Sequence, residues 1–337
     1  MHSELTVGTA KNWTKVLTQY REPNRLRSIC EISITAVPLV ILWVAMWLSL
    51  DYSYWLSLLL AVLAAGFLVR LFIIQHDCGH GTLFRKRATN DWVGRVIGVL
   101  TLTPYDYWRR THATHHATCG NLTRRGMGDI TTLTLQEYQS CSFLGRLRYR
   151  VYRHPLVLFA LGPAFLYLLQ QRLPVGLMRD GWGPWLSTMA TNAGILVTFS
   201  LLIWLMGLKA FLMVHIPIVV LAASFGVWLF YVQHQFEETW WDSNADWNVH
   251  ESALHGSSHY DLPAVLRWFT GNIGMHHVHH LCSQIPYYRL PRTLRDHPAL
   301  IHVNRMTLIE SFRCVLFTLW DEDQRRLISF REARSKI

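Results

Sequence analysis

The ten residues from Asn272 to Leu281 read NIGMHHVHHL, and four of the ten are histidine. His276, His279 and His280 stand in the spacing H-x-x-H-H. Residues three and four apart share one face of a helix, so we expect the three imidazoles to converge on one point. Convergent imidazoles are typical of a metal site, because histidine is the commonest metal ligand in proteins. This stretch therefore predicts a metal-binding helix.

Two other histidine clusters repeat this spacing earlier in the chain. His76 and His80 are four residues apart in HDCGH, and His112, His115 and His116 form a second H-x-x-H-H in HATHH. Three clusters that each fit one face of a helix are difficult to explain by packing alone. We interpret all three as sets of metal ligands that meet at a shared site.

A ninth candidate ligand is His234, which follows the last long apolar run in the stretch YVQHQFEE. Nine neutral imidazoles are too many for one ion but suit two ions with four to five ligands each. Imidazole suits iron, copper, nickel and zinc. The H-E-x-x-H motif of zinc enzymes and the Glu-x-x-His motif of soluble di-iron bundles are both absent from the sequence. An all-imidazole two-metal centre at a membrane surface indicates iron that activates dioxygen against a lipid-dissolved substrate.

The remaining histidines are interpreted as ordinary surface or core residues. His277 lies off the face shared by its neighbours, and His255 and His259 stay unassigned in the loop-like stretch HGSSHYDLP. The others are isolated in the sequence: His2, His154, His215, His250, His297 and His302.

The composition indicates a membrane protein with a large polar part. Of the 337 residues, 51% are hydrophobic and only 16% are charged, which is too apolar for an ordinary soluble enzyme. The mean hydropathy of +0.15 still requires much of the chain to lie outside lipid.

The net charge of +10 does not indicate nucleic-acid binding, because Lys and Arg mostly flank apolar runs and no nucleic-acid module is present. The six cysteines form no C-x-x-C pair, which argues against a disulfide scaffold and against a structural zinc site.

Four apolar runs are long enough to cross a bilayer. Each pair of runs is joined by a short turn, so we expect two antiparallel hairpins. The runs are residues 32–50, 54–74, 191–206 and 211–232. The predicted fold class is an all-α integral membrane protein, with four transmembrane helices in two hairpins and a helical cytoplasmic cap that carries the histidine clusters.

Charge and parity predict the orientation of the chain. Lys and Arg crowd the segments outside the hairpins, while the two hairpin turns carry only Lys209, so we expect the histidine-bearing side to be cytoplasmic. If the clusters share one site, an even number of crossings separates His116 from His276. The apolar residues 155–169 are therefore expected to form an interfacial or re-entrant helix. The chain is expected to be a multi-pass protein of a bacterial inner membrane, with its active site on the cytoplasmic side.

Three parts of the chain follow from this topology. Residues 1–31 form an N-terminal cytoplasmic segment, residues 32–295 the membrane domain, and residues 296–337 a C-terminal cytoplasmic segment. Within the membrane domain, the cap comprises residues 75–190 and 233–295.

Five stretches together resemble the membrane fatty acid desaturases, most closely the bacterial branch similar to plant ω-6 (Δ12) acyl-lipid desaturases. They are HDCGH, LTPYDYWRRTHATHH, YVQHQFEETWWD, GSSHYDLP and WFTGNIGMHHVHHLCSQIPYYRLP. The similarity covers residues 70–295 and implies four transmembrane helices under a cytoplasmic cap that holds two irons. Carried over by motif position, the ligands are His76, His80, His112, His115, His116, His234, His276, His279 and His280.

The resemblance also implies the chemistry. A reduced di-iron centre binds dioxygen, two hydrogens leave adjacent methylenes of a fatty acyl chain, and a cis double bond and water result. A metal-bound imidazole usually donates its other N–H to a carboxylate or carbonyl. The candidates for such supporting contacts are Asp77, Asp129, Glu238 and Asn272. The aromatic candidates for lining an acyl tunnel are Tyr107, Trp108, Trp240 and Trp268.

Electrons are expected to come from a separate carrier. The sequence shows no C-x-x-C-H haem site, no cysteine framework for an iron–sulfur cluster and no G-x-G-x-x-G nucleotide loop. Ferredoxin or a cytochrome b5-like protein is the expected donor, and the fatty acyl substrate and membrane lipid are the other expected partners.

Two other functions stay open at this point. A related di-iron fatty acyl or alkane hydroxylase would have the same ligands, so only its product distinguishes it. A histidine-rich membrane metal transporter or sensor would need ionisable residues inside the spans. The histidine clusters lie instead beyond the ends of the apolar runs, which favours an enzyme.

Overall fold

The computed structural model describes residues 7–336, so the outermost residues of the predicted terminal segments, 1–6 and 337, lie outside it. The described chain is mainly helical. The helices of its first half are α1 (Val7–Leu17), α2 (Arg25–Ser49), α3 (Tyr54–His80), α4 (Arg87–Leu100), α5 (Tyr105–Thr118), α6 (Leu135–Ser140), α7 (Phe143–Tyr152) and α8 (Gly162–Leu168). Those of its second half are α9 (Trp182–Met206), α10 (Leu208–His234), α11 (Val249–His255), α12 (Ala264–Phe269), α13 (His276–Leu281), α14 (Leu290–Asp296), α15 (Leu308–Ser311) and α16 (Phe330–Arg334).

Four of these helices, α2, α3, α9 and α10, are long and apolar enough to cross a membrane. The mean hydropathy of their most apolar stretches lies between 1.8 and 2.5. α2 and α3 are joined by a tight turn, and so are α9 and α10. The prediction of four membrane-spanning helices in two hairpins is therefore confirmed.

The spanning helices are longer than the apolar runs that predicted them. α2 begins at Arg25 and α9 at Trp182, well before the predicted starts. α3 continues to His80, where Gly81 ends the helix with a φ of 75°, a conformation that glycine adopts without strain. An apolar run marks only the part of a helix inside lipid, whereas the helix itself ends where its backbone is capped. The same helices therefore cross the membrane and build part of the cap.

α3 is the central helix of the bundle. Protein covers 56% of its most apolar stretch, against 6% for α9. Ala61, Ala64 and Ala65 are fully buried, and their small side chains let α2 and α10 pack closely against α3. Farther along α3, the buried Arg70 forms an ion pair with the buried Glu31 of α2. This pairing compensates a charge that would be costly to leave alone inside the bundle.

A bent segment lies between the two hairpins. α7 is followed by a π-helical turn at Val157–Leu161 and then by α8, and the two halves meet at an angle of 58°. Pro155 lies at the break, where its missing N–H interrupts the helical hydrogen bonding. The histidines on either side of this segment converge on one site, so the crossings between them must be even in number. α9 and α10 supply two crossings, so the bent segment is still expected to be interfacial or re-entrant, as the sequence predicts for residues 155–169.

The cap is less purely helical than predicted, because it also contains two small sheets. The strands are β1 (Leu133–Thr134), β2 (His259–Asp261), β3 (Arg305–Thr307), β4 (Leu319–Asp321) and β5 (Arg326–Ile328). β1 pairs in parallel with β4, β4 pairs antiparallel with β5, and β2 pairs in parallel with β3. The predicted C-terminal segment, residues 296–337, thus contributes strands β3 and β4, which pair with strands of the cap. Strands this short show no alternation from which a sequence could predict them.

Arg153 strengthens the attachment of the C-terminal residues. Its guanidinium is buried and donates hydrogen bonds to the Phe317 carbonyl at 2.8 Å, to the Tyr231 hydroxyl at 2.8 Å and to Gln235 Oε1 at 3.2 Å. Tyr231 and Gln235 belong to the end of α10 and the residue after it. One buried cation therefore joins the C-terminal residues to the histidine-bearing end of a spanning helix.

Candidate metal centre

The nine predicted histidines lie together where α3 and α10 leave the bundle. They form two groups, and within each group one ring nitrogen per residue lies within 4.8 Å of all the others. The five-histidine group consists of His76, His80, His112, His116 and His279. The four-histidine group consists of His115, His234, His276 and His280.

Each H-x-x-H-H cluster divides its histidines between the two groups, so the prediction that all three converge on one point was wrong. In α5, the two histidines four residues apart face the five-histidine group, while His115 faces the other group. In α13, the two histidines four residues apart face the four-histidine group, while His279 faces the five-histidine group. Successive residues are about 100° apart around a helix, so the side chains of residues four apart point within about 40° of each other. The side chain three residues after the first points about 60° away from it, in the opposite rotational direction.

Helices α5 and α13 hold the two groups side by side, because each helix contributes to both. The rings of His116 and His280, one from each group, stack with their centroids 4.1 Å apart. α13 is only six residues long and is fixed at its start, where the His276 N–H donates to the Ser258 carbonyl at 3.2 Å. Just before it, the Tyr260 N–H donates to the Gly274 carbonyl at 2.7 Å. The loop before α13 is thereby tied to strand β2.

In the five-histidine group the Nε2 atoms face one another. His112 Nε2 lies 3.1 Å from the Nε2 atoms of His80 and of His116, and His116 Nε2 lies 3.2 Å from that of His279. The Nε2 atom of His76 is buried and has no hydrogen-bond partner among the described residues. A buried nitrogen without a partner is costly, and a metal ion in the centre of the group would supply one.

The four-histidine group gives a stricter test of whether a metal fits. The Nδ1 atom of His115 lies 2.5 Å from Asp129, and that of His234 lies 3.1 Å from the Gly256 carbonyl. An ionised carboxylate and a carbonyl only accept hydrogen bonds, so both Nδ1 atoms carry the proton. As neutral rings, His115 and His234 then direct the lone pairs of their Nε2 atoms at each other across 3.2 Å. Two lone pairs cannot form a hydrogen bond, whereas a metal cation would bind both.

The spacing of these nitrogens also fits metal coordination. In the same group, His276 Nε2 lies 3.0 Å from His234 Nε2 and 3.1 Å from His280 Nε2. Two nitrogens bound to one ion at about 2.1 Å and near right angles lie about 3.0 Å apart. The residues present therefore fit two metal ions.

Burial keeps these imidazoles in their metal-binding form. Burial, together with the neighbouring imidazoles, holds the pKa values of His112, His116, His276, His279 and His280 well below the usual range. For Asp129, burial raises the pKa of the carboxyl, but the hydrogen bond from His115 and the nearby imidazoles outweigh it and hold that pKa below its ordinary value. Asp129 is therefore ionised and His115 is the donor in this pair.

The four predicted supporting residues lie in different surroundings. Asp129 contacts His115, and the carboxylate of Asp77 lies 3.3 Å from His76 Nδ1 and accepts from the Tyr287 N–H at 2.7 Å. Glu238 is exposed in the loop that follows α10. Asn272 lies in a turn before α13 with a φ of 56°, and its amide donates to the Tyr287 carbonyl at 3.3 Å.

Two unassigned histidines fix the loop that carries α13. His277 is fully buried, and its Nε2 atom donates to the Leu300 carbonyl at 2.9 Å. His259 Nδ1 donates to the neighbouring Ile301 carbonyl at 2.7 Å. Both contacts tie the histidine loop to residues just after α14. The spacing placed His277 off the shared face, but it contained no signal for this structural role.

A cavity of about 870 Å³ leads away from the two groups. His76, His112 and His276 border it on one side. Its apolar walls come from α3, α8 and α10, and Asp129 and Gln171 belong to its polar part. Its volume is typical of a site for an organic ligand. The cavity brings such a ligand directly beside both histidine groups.

Two of the four aromatic tunnel candidates line this cavity. Trp108 stacks on His112 with centroids 4.6 Å apart, and the Tyr107 hydroxyl donates to the Val175 carbonyl at 2.7 Å. Trp240 and Trp268 are absent from its walls. Trp268 packs instead against Arg70, whose guanidinium lies 4.0 Å from the centre of the indole. Neighbouring residues such as Phe72 were missed, because an apolar residue in an apolar helix gives no distinguishing signal.

The sequence is similar to known proteins. A family model described as "Fatty acid desaturase" matches residues 53–311. The "Fatty acid desaturase" of Bacillus subtilis is 42% identical over 322 residues, which cover 95% of this chain and 91% of that protein.

Two relatives from Synechocystis sp. are more distant. The "sn-1 oleoyl-lipid 12-desaturase" is 28% identical over 250 residues, which cover 72% of this chain and 69% of that protein. The "sn-1 acyl-lipid omega-3 desaturase (ferredoxin)" is 28% identical over 230 residues, which cover 66% of this chain and 62% of that protein. The family model matches well over half of the chain, and the Bacillus relative is similar along almost its whole length. The protein is therefore a membrane enzyme that belongs to the fatty acid desaturase family.

Proposed function

We propose that this enzyme is a dioxygen-dependent di-iron desaturase that introduces a cis double bond into a lipid-linked fatty acyl chain. The observation that carries the proposal is a group of five histidines and a group of four histidines that lie beside a cavity between membrane helices. The proposed metal ligands are His76, His80, His112, His115, His116, His234, His276, His279 and His280.

Iron suits a donor set made only of imidazole that lies beside an apolar cavity. Two bound irons would supply the activation of dioxygen and the oxidising power that an unactivated methylene requires. The reaction balances when two hydrogens from adjacent methylenes, two external electrons and two protons reduce dioxygen to two waters. The electrons must come from a separate carrier.

The protein has three tasks in this reaction. Asp129 and the Gly256 carbonyl hold His115 and His234 in the tautomer that leaves Nε2 free. Trp108 packs against His112 and limits the movement of that ring. The apolar walls of the cavity place a featureless chain against the histidine groups and exclude water from it.

The position of the double bond is the finer part of the proposal. We propose the Δ12/ω-6 position, which the sequence motifs favour. In support, one Synechocystis relative is named an oleoyl-lipid 12-desaturase. A second relative with the same identity is named an omega-3 desaturase, so ω-3 insertion is the alternative that the assay must distinguish.

The electron donor and the orientation complete the proposal. A Synechocystis relative is named with ferredoxin, and we propose ferredoxin or a cytochrome b5-like protein as the donor here. The net charge of +10 suits an acidic carrier. By the positive-inside rule, we propose that the histidine-bearing side faces the cytoplasm of a bacterial inner membrane.

Hydroxylation of a fatty acyl chain or alkane is the competing reaction. It would use the same ligands and differ only in the fate of the substrate after the first hydrogen is lost. The family membership favours desaturation. It also disfavours a metal transporter or sensor, and three of the histidines border a cavity large enough for an organic ligand.

The decisive experiment is expression in a host whose lipids contain only saturated and monounsaturated chains. Gas chromatography–mass spectrometry then locates any new double bond, and metal analysis of the purified protein counts its iron. We expect a diene with its new bond at the twelfth carbon and two irons per chain. A hydroxy acid would support the competing reaction, and far less than two irons without reconstitutable activity would contradict the proposal.

A further inference from the structure

A charged side chain lies inside the membrane part of α3. Arg70 belongs to the predicted span of residues 54–74, is 2% exposed, and forms an ion pair with Glu31 of α2, which is 1% exposed. Charged residues inside a span are costly and usually serve a function. Replacing a buried ion pair by apolar side chains is often neutral or even stabilising. Stability of the bundle therefore does not explain why this pair is present.

The Arg70 guanidinium contacts the residues that lead into the histidine helix α13. It donates a hydrogen bond to the Trp268 carbonyl, and its Cζ atom lies 4.0 Å from the centre of the Trp268 indole. Its Nε atom donates to Thr35 Oγ1 at 3.2 Å, which fixes the orientation of the guanidinium. Trp268 lies eight residues before His276. Arg70 thereby holds the backbone on the N-terminal side of α13.

Glu31 contacts the residue that holds the other side of α13. Its carboxylate accepts a hydrogen bond from the hydroxyl of the fully buried Tyr287 at 2.9 Å. Tyr287 lies seven residues after His280. Its backbone N–H donates to Asp77 at 2.7 Å, and the Asp77 carboxylate lies 3.3 Å from His76 Nδ1. One tyrosine thus connects the ion pair to a carboxylate beside a proposed iron ligand.

Asn272 joins the two sides of α13 to each other. Its side-chain amide donates to the Tyr287 carbonyl at 3.3 Å, and its backbone N–H donates to the Arg267 carbonyl at 2.9 Å. An isolated helix of only six residues is not stable in itself. The contacts of the flanking residues therefore decide where α13 lies.

We propose that Arg70 and Glu31 are positioning residues, which hold α13 and its histidines in place against the histidines of α3. This inference rests on the proposed function, because it takes these histidines as iron ligands. Arg70 acts through Trp268, and Glu31 acts through Tyr287. The ion pair inside the membrane thus serves the metal centre in the cap.

Both irons would depend on this positioning. α13 supplies His276 and His280 to the four-histidine group and His279 to the five-histidine group. Metal–ligand distances in proteins stay within about 0.2 Å of their usual values. A small displacement of α13 would therefore weaken bonds to both ions at once.

The test replaces both charges together, in the variant Glu31→Met/Arg70→Met. Because no unpaired charge remains in the bundle, the metal-free protein should unfold at nearly the wild-type temperature. The contacts to Trp268 and Tyr287 are lost, so we expect iron affinity to fall about tenfold or more, as it does when partners of metal ligands are removed. Competitive chelator titration of the purified protein measures the affinity, and thermal unfolding in detergent measures the stability.

Asp321→Asn is the matched control. The Asp321 side chain is as deeply buried as that of Glu31 and forms an ion pair with Lys336. It belongs to β4, which supplies no histidine to either group. The control should keep the wild-type iron affinity even where its unfolding temperature falls. An equal loss of affinity in both variants would overturn the inference, because general destabilisation would then explain the loss.

The remaining outcomes also decide the question. Wild-type iron affinity in the double variant would overturn the inference. If that variant does not accumulate, or if its metal-free form is unstable, Tyr287→Phe decides, because it removes only the hydroxyl that contacts Glu31. Lowered affinity in Tyr287→Phe would support the inference, and wild-type affinity would overturn it. Product analysis of the wild-type enzyme tests the proposed function separately, since a protein that binds two irons without forming a double bond would contradict desaturation alone.

Discussion

At the scale of single residues, the supporting contacts of two histidines give the clearest indication of metal. Asp129 and the Gly256 carbonyl require protons on the Nδ1 atoms of His115 and His234. The Nε2 lone pairs of both rings are thereby directed at one point. Without a metal this arrangement would be repulsive, whereas a bound cation would be attracted by both lone pairs.

Removing one of these contacts should weaken metal binding without removing a ligand. We expect Asp129→Ala to lower iron affinity by about 10- to 100-fold, because His115 loses the acceptor that fixes its tautomer. Asp129→Asn keeps an acceptor oxygen and should retain more iron. Competitive chelator titration of the purified proteins measures this difference. Equal affinity in Asp129→Ala and wild type would show that the contact does not support the metal.

Removing a ligand itself should be more severe. We expect His279→Ala to abolish product and lower iron content, because the five-histidine group loses a member, while membrane insertion stays intact. His302→Ala is the control, since His302 is exposed and outside both groups. Product analysis and metal analysis on membranes with equal amounts of each protein provide the measurement. A largely active His279→Ala protein would remove this residue from the proposed ligands.

At the scale of helices and strands, the bent segment between the hairpins decides the topology. The segment is apolar enough to cross the membrane. However, histidines that precede and follow it lie in the same groups, which requires an even number of crossings between them, and α9 and α10 already supply two. We therefore predict that the segment enters and leaves on one side of the membrane. Its second half, α8, forms a wall of the cavity beside the histidine groups, which explains why an apolar helix lies there.

Reporter fusions can test this topology. A reporter placed after Arg172 should lie on the same side as one placed at the C-terminus, because the bent segment does not cross. A reporter placed after Gly207, in the turn between α9 and α10, should lie on the opposite side. Reporters active on only one side of the membrane give the assignment. Opposite results for Arg172 and the C-terminus would contradict the re-entrant arrangement.

The sequence predicted the helices better than it predicted their connections. Apolar runs revealed all four spans, and histidine spacing found the nine residues that the fold brings together. The spacing rule treats residues three and four apart as lying on the same helix face. It therefore could not show that His115 and His279 belong to a different histidine group from the other histidines of their clusters. The pairing of β1 with β4, the pairing of β2 with β3 and the role of His277 depend on long-range contacts. No local pattern encodes such contacts.

At the scale of the whole molecule, the histidine groups connect distant parts of the chain. The five-histidine group takes residues from α3, α5 and α13, and the four-histidine group from α5, α10 and α13. Bound metal would therefore link both hairpins and the cap. A ligand that binds only the folded state stabilises it by mass action.

Removing the metal should consequently destabilise the whole protein. We expect a chelator-treated sample to melt at a lower temperature than the iron-loaded enzyme, and added ferrous iron to restore the difference. Thermal unfolding in detergent measures the shift. The His279→Ala protein should show a smaller shift than the His302→Ala control, since it has lost a ligand. Identical melting with and without iron would argue that the metal does not connect these elements.

The division of ligands between the hairpins has a consequence for biosynthesis. Neither hairpin can complete a histidine group alone, because both groups need α13, which follows the last spanning helix. A nascent chain still on the ribosome therefore holds only partial sets of imidazoles until both hairpins have entered the bilayer. If these histidines hold metal as proposed, the order of residues in the chain would delay completion of both sites until α13 has been made.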